Sequence, residues 1–267
     1  MKNLLTVLLI LFSLKGLAQK KDKRLIKGIY LQWGYNTEWY THSTLHFRMA
    51  NGNNFKVYHV KAHDRGDYDA IIKESGDISI PQYNYRLGFY LNASHSKAVE
   101  LNFDHAKYIV TDGQTARVKG VIDGVNVDEN KVLDPANFLH FEHTDGANWL
   151  YLNYVEQHNL LMNGAGTRQL LTYVWKAGAG INIPRTDFTW RGNRLNNDFH
   201  IAGYNISAEG GARFFPFKNF FIETTAKTGF VHYINALTNT TTDKGNRASH
   251  KFGYFEIIGT FGYDIKL

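Results

Sequence analysis

Residues 82–92 read Gln-Tyr-Asn-Tyr-Arg-Leu-Gly-Phe-Tyr-Leu-Asn. Successive side chains of an extended chain point to opposite faces. Tyr83, Tyr85, Leu87, Phe89 and Leu91 therefore share one side, and Gln82, Asn84, Arg86, Gly88, Tyr90 and Asn92 share the other. A strand of this kind needs an apolar medium on one face and a polar one on the other.

The pattern recurs along the chain. Ile29, Leu31, Trp33 and Tyr35 oppose Gly28, Tyr30, Gln32 and Gly34, and Val99, Leu101 and Phe103 oppose Glu100, Asn102 and Asp104. Tyr173, Trp175, Ala177 and Ile181 oppose Thr172, Val174, Lys176 and Asn182, and Tyr204, Ile206 and Phe214 alternate with Asn205, Glu209 and Arg213. Phe220, Ile222, Ala226 and Phe230 alternate with Glu223, Thr225 and Lys227, while Phe255, Ile257, Phe261, Tyr263 and Ile265 oppose Glu256, Thr260, Gly262 and Asp264. With a less regular segment at 149–156, this predicts eight antiparallel strands in an all-β, up-and-down barrel. An even number brings both termini to one rim.

Connection lengths support that topology. Residues 93–96 and 215–219 are tight turns, the latter marked by Pro216. Long connections at 37–79 and 109–147, and shorter ones near 185–197 and 236–249, fall on the other rim. Residues 157–168 are long for a turn on the first rim.

The 267-residue chain has no Cys, which excludes disulfide scaffolds, thiolate metal sites and cysteine nucleophiles. Lys2, the apolar run 4–14 and the small residues Gly16 and Ala18 predict a cleaved signal peptide over 1–18, with the barrel domain at 19–267. Removing Lys2 and Lys15 lowers the net charge from +6 to +4, and Lys20, Lys21, Lys23, Arg24 and Lys27 leave a basic N-terminal tail. Beyond residue 18 no stretch approaches the roughly 20 apolar residues of a membrane helix. The alternatives are an outer-membrane barrel and a secreted lipocalin-like carrier.

The polar face favours the membrane. Arg86, Lys176, Arg213 and Lys227 share it with Glu100, Asp104, Glu209, Glu223 and Glu256, interspersed with Gly and Asn. Compensating charges among small residues suit a crowded interior, and an unpaired interior ion would cost several kcal/mol. These nine side chains are expected to form an interior polar network. Aromatic residues near segment ends, such as Trp33, Tyr83 and Tyr263, suit membrane interfaces.

The terminal Gly-Tyr-Asp-Ile-Lys-Leu, the eight alternating segments and the leader ending Leu-Ala-Gln resemble the small outer-membrane β-barrel proteins of the Bacteroidota, which share the architecture of outer membrane protein X and the outer membrane protein A barrel. The resemblance implies a transmembrane barrel at the cell surface, and a closing Leu267 departs from the usual Phe. Residues 232–236, His-Tyr-Ile-Asn-Ala, are similar to a segment of lipid A deacylase. The nucleophile position is Ile234, which has no oxygen for acyl transfer.

Two further clusters carry groups of the metal-ligating kind. His42, His46, His59 and His63 lie with Asp64 and Asp67 in the first long connection, which reads as a hairpin around Asn51-Gly52 over 44–63. On a strand, His59 and His63 would be about 13 Å apart, too far for one metal. Asp123, Asn126, Asp128, Asn130 and Asp134 crowd the second without EF-hand spacing. The sequence therefore predicts no catalytic, cofactor or metal site, and no nucleic-acid module. It predicts a non-enzymatic, monomeric outer-membrane protein in contact with membrane lipids, acting in surface interaction, adhesion or envelope integrity through 37–79 and 109–147. The alternatives are a deacylase-like hydrolase and the soluble carrier.

Overall fold

A strand with two unlike faces can satisfy both only if the sheet separates two media, and here the sheet does so by closing on itself. The computed structural model describes residues 25–66, 82–143, 145–195, 197–239 and 245–266. The expected signal peptide, Lys20, Lys21, Lys23, Arg24, Asp67 and Leu267 lie outside them.

In chain order the first strands are β1 (Gly28–Tyr40), β2 (Ser43–Arg48), β3 (Asn54–Val60), β4 (Ala62–His63), β5 (Tyr83–Tyr90) and β6 (Lys97–Asp104). There follow β7 (Tyr108–Val110), β8 (Thr115–Ile122), β9 (Val125–Val132), β10 (Leu139–His143), β11 (Trp149–Met162) and β12 (Gln169–Asn182). The last are β13 (Asp187–Trp190), β14 (Asn193–Leu195), β15 (Gly203–Phe214), β16 (Phe220–Leu237) and β17 (Arg247–Lys266).

Eight of them form a ring of antiparallel pairs: β1 with β5, then β6, β11, β12, β15, β16 and β17. β17 returns to β1, from Gly28 opposite Lys266 to Tyr40 opposite Tyr254. The wall therefore has no unpaired edge. These are the eight segments the alternation picks out.

Their side chains divide as the alternation requires. Leu101, Leu152, Ile206 and Phe261 face outward and are 43%, 60%, 52% and 54% exposed, whereas Arg86, Glu100, Lys176, Glu209 and Glu223 are buried inside. Near the tight-turn rim, inward glycines make room for rings. A Cβ on Gly88 would lie 2.0 Å from Tyr30, and one on Gly262 would lie 2.1 Å from Phe221.

At the other rim the described parts of the long connections are strands, not loops. One sheet joins upper β17 to β2, β3, β8 and β9. The other runs from the end of β1 through β4, β7, β10, β13 and β14. Between them Leu45, Phe47, Phe55, Val57, Val118, Phe141 and Phe188 are buried in one apolar core with Trp149, Tyr233 and Phe252 of the wall strands. Each such side chain contributes about 1.5–3 kcal/mol by leaving water. These sheets form a β-cap continuous with the barrel.

The wall strands enter the cap and reverse their polarity as they do. On β16, Ile222, Ala226 and Phe230 point outward with charged Glu223 and Lys227 inward, whereas past Phe230 the inward side chains Val231 and Tyr233 are apolar, and Ile234 remains exposed. On β17, inward Ala248, Phe252 and Tyr254 give way to outward Phe255, Ile257 and Phe261. The alternation expects the connection between these two strands near 236–249. The strands in fact reach Leu237 and begin at Arg247. The long connection 157–168 is half strand: β11 runs to Met162, with a bulge near Asn159, and β12 begins at Gln169.

Candidate functional site: the barrel interior and the cap

Inward residues of six strands meet at one level of the barrel. Glu223 on β16 is the hub: its Oε1 accepts from Lys176 Nζ at 2.7 Å and Arg86 Nη1 at 3.2 Å, and its Oε2 accepts from Arg213 Nε at 2.8 Å. Arg86 also grips Glu209 at 2.6 Å, and Lys176 lies 3.2 Å from Glu100. Tyr30 donates to Glu100 at 2.7 Å. Lys227 bridges Asp104 and, at 3.2 Å, Glu256. The structure thus brings together all nine charged residues singled out in the sequence, in two groups at adjacent levels. Buried ions held this way escape the several-kcal/mol penalty of an unpaired charge.

The two ends of this interior are filled. Toward the tight-turn rim the Arg213 guanidinium lies 4.1 Å from the Phe221 ring centre and 4.7 Å from that of Tyr30. Toward the cap, Lys227 lies 4.0 Å from the Tyr151 ring centre. Above it Tyr151 and Tyr254 share a hydroxyl hydrogen bond of 2.7 Å, and Trp149 Nε1 donates to Tyr233 at 2.9 Å.

Glu38 belongs to this interior and was missed in the sequence. It is buried and directly opposite Glu256. Asn36 Nδ2 donates to Glu256 at 2.9 Å and also to Glu38, and Gln82 donates to Glu38 at 2.6 Å. The signal was present, since Gly34, Asn36 and Glu38 continue the inward period of β1. Ending that strand at Asn36 placed Glu38 in a connection.

The remaining candidates are dispersed. His46 pairs with Asn54 at 2.7 Å and His63 with Thr111 at 3.0 Å, on separate strands of the cap. Asp128 binds Arg117 at 2.7 Å, Asp123 binds Arg191 at 2.6 Å, and Asp134 caps the turn at Ala136. Asp123 and Gly124, both with positive φ, make the β8–β9 hairpin turn. His232 faces outward beside Tyr204, at 3.4 Å from its hydroxyl, whereas Glu256 is inside the wall. A deacylase-like set would thus be split across the sheet, and Ile234 supplies no nucleophile.

The cap core holds a polar pair that the sequence does not flag. His143 and His250, both buried, approach Nε2 to Nε2 at 3.1 Å, with Thr186 on His143 Nδ1 at 3.0 Å. Burial pulls the His143 pKa down to about 3. His140, nearer the surface, is pushed up to about 9 by its hydrogen bonds to Glu142 and Asp112, against the opposing effect of partial burial.

No family model and no curated protein matches the sequence. Among solved structures the chain is similar to the outer membrane protein OprG from Pseudomonas aeruginosa, at 13% identity over 91% of this chain and 98% of that one, with a TM-score of 0.41. It is also similar to Ail, the attachment invasion locus protein of Yersinia pestis, at 12% identity over 90% and 99%, with a TM-score of 0.35. Neisserial surface protein A gives 9% identity over 86% and 96%, with a TM-score of 0.34. The barrel assignment rests on the strand pairing described above.

Proposed function

We propose that the chain is an exported outer-membrane protein of the small Bacteroidota barrel kind, without enzymatic activity, whose barrel anchors a rigid β-cap at the cell surface for surface interaction, adhesion or envelope integrity. One observation carries the reading: within single strands such as β16 and β17, the apolar side changes from outside to inside. An apolar exterior around a charged core is stable in hydrocarbon, and an apolar core under a polar exterior is stable in water. The phase slip therefore marks where the surrounding medium changes. A barrel filled by ion pairs also has no apolar bore for a lipocalin-like cargo, and its filled ends oppose a pore.

The cap revises how the long connections would act. Residues 109–147 supply β7 to β10 and their core side chains, so deleting them would dismantle the cap rather than remove a mobile ligand loop. Single-cysteine labelling tests the proposal cleanly, because the chain has no native cysteine. On intact cells an impermeant maleimide should label Thr115→Cys in the cap, and should label Asn163→Cys at the opposite rim only after the outer membrane is opened. Labelling of Asn163→Cys from outside, or recovery of the protein in the soluble extracellular fraction, would overturn the reading.

A further inference from the structure

His143 of β10 and His250 of β17 are enclosed in the cap core at 0% and 3% exposure, with their Nε2 atoms 3.1 Å apart. β10 belongs to the sheet of β4, β7, β13 and β14, whereas upper β17 borders the sheet of β2, β3, β8 and β9. The contact therefore spans the two sheets of the cap. Arg191 and Asp123 also join the sheets, at 2.6 Å, but on the exposed surface, where an ion pair contributes little.

The surroundings of the pair offer hydrogen-bond partners and no counter-charge. Thr186, just before β13, lies 3.0 Å from His143 Nδ1, and Ser43 of β2 lies 3.4 Å from His250 Nδ1. Rings of Tyr108 on β7, Phe141 on β10, Tyr233 on β16 and Phe252 on β17 pack around the two imidazoles. Among the described residues the histidines in ion pairs are His140 and His158, so neither member of this pair has a carboxylate partner. Glu142 is on the other face of β10 beside His140, and Asp187 is held by Arg194. His200 and His232 act on the pair as like charges.

A bond between two imidazoles needs one Nε2–H and one bare Nε2, which is the neutral pair. One added proton keeps the bond but makes a buried ion without a counter-ion. A second places an N–H on both sides, and the bond is lost. Both rings take protons freely only in water, where an imidazole titrates at about 6.5. We propose that the His143–His250 pair is a two-proton switch that parts the sheets of the cap in acid and bares the aromatic core between them, while the barrel stays closed. A parted sheet remains attached, because β3 runs into β4 and β7 into β8 at one corner. There Lys61 N donates to Gln114 Oε1 at 2.8 Å, and Gln114 Nε2 donates to Lys61 O at 2.9 Å. His140 meets Glu142 and Asp112 within one sheet and its turn, in contacts that parting leaves in place. Display of Phe47, Phe55 and Phe188 thus becomes conditional on acidity, whichever medium surrounds the barrel.

Cysteine reactivity reads the opening, since the chain has no native cysteine. Labelling of Val57→Cys, buried in the cap core, by dithiodipyridine is followed on the whole protein in detergent micelles from pH 7.5 to 5.0. Each rate is divided by that of the exposed Thr115→Cys at the same pH, which cancels the thiol's own titration. Two imidazoles that bind protons only in the open state raise the open fraction by about 900-fold over this range, and one raises it by about 30-fold. The relative rate should therefore rise about 900-fold with both histidines present and about 30-fold with His143→Gln or His250→Gln alone. With both substitutions, whose amides can keep the cross-sheet bond, it should stay flat. Ala98→Cys, buried inside the barrel, should stay unreactive throughout.

A rise retained by the double variant, a rise no larger with both histidines than with one, or equal exposure of Ala98→Cys would overturn the proposal. If the double variant fails to assemble, the single variants decide, because a switch built on the pair requires each of them to lose most of the rise.

Discussion

Leu101→Arg isolates the medium outside the barrel from every other feature of the fold. Leu101 is the middle outward residue of β6, 43% exposed, and lies between Leu87 of β5 and Leu152 of β11 in strand register. Its side chain leaves the wall, so an arginine there displaces no core group and breaks no ion pair. An Arg at the mid-depth of a barrel's lipid face costs about 2–4 kcal/mol. At about 1.4 kcal/mol per tenfold, this lowers the folded-to-unfolded ratio by about 30- to 700-fold. The assay is urea unfolding in phospholipid vesicles followed by tryptophan fluorescence, with Thr115→Arg on the exposed face of the cap as control. The control should change stability by less than about 0.5 kcal/mol, as ordinary surface substitutions do. If Leu101→Arg is as mild as the control, water and not hydrocarbon touches the belt, and the reasoning from apolar exterior to membrane fails.

Glu223→Ala leaves Arg86, Lys176 and Arg213 without their shared acceptor and should cost about 3–5 kcal/mol in the same assay; a loss below 1 kcal/mol would show that the interior is hydrated enough to screen them. Phe47→Ala removes a ring stacked on Phe55 and Phe188 in the cap core. It should destabilise the cap by about 3–5 kcal/mol and expose it to protease while the barrel stays heat-modifiable. Acid should weaken the cap through His143, whose folded pKa of about 3 lies below the ordinary 6.5. Between those values the unfolded chain takes up a proton and the folded one does not. Stability is therefore full above about pH 6.5 and falls on acidification by up to about 1.4 kcal/mol per unit. His143→Asn should flatten that slope. His140 acts on the other side: with its pKa raised to about 9, its contribution is full below about 6.5 and is lost as pH rises through 9. Cap melting between pH 4.5 and 9.5, with His140→Gln as comparison, separates the two.

The sequence reveals the wall because an apolar exterior and a charged interior impose one alternation on eight segments, and the partners of Arg86, Lys176 and Arg213 can be guessed from charge alone. The cap was less legible although its strands alternate too. Leu45 and Phe47 alternate with Thr44 and His46, and Phe55 and Val57 with Asn54 and Lys56. Alternation states that two faces differ without stating which medium each meets. Short alternating runs inside a long connection therefore read as a hairpin, and only strand pairing shows that their apolar faces converge on Trp149 and Phe252. Glu38 was lost for the related reason that the expected strand stopped one turn of the pleat too early. The His143–His250 contact joins residues 107 positions apart, and no spacing rule reaches that far.

The junction of the two chain ends has a consequence for assembly. β17 bonds to β1 from Lys266 up to Tyr254 and goes on to β2 as far as Arg247, so the same fastener shuts the barrel ring and the first sheet above it. A molecule in which β17 had not docked would have neither. Completion of the cap then certifies that the barrel beneath it is closed, and anything that recognises only the finished cap ignores every copy whose ring is open.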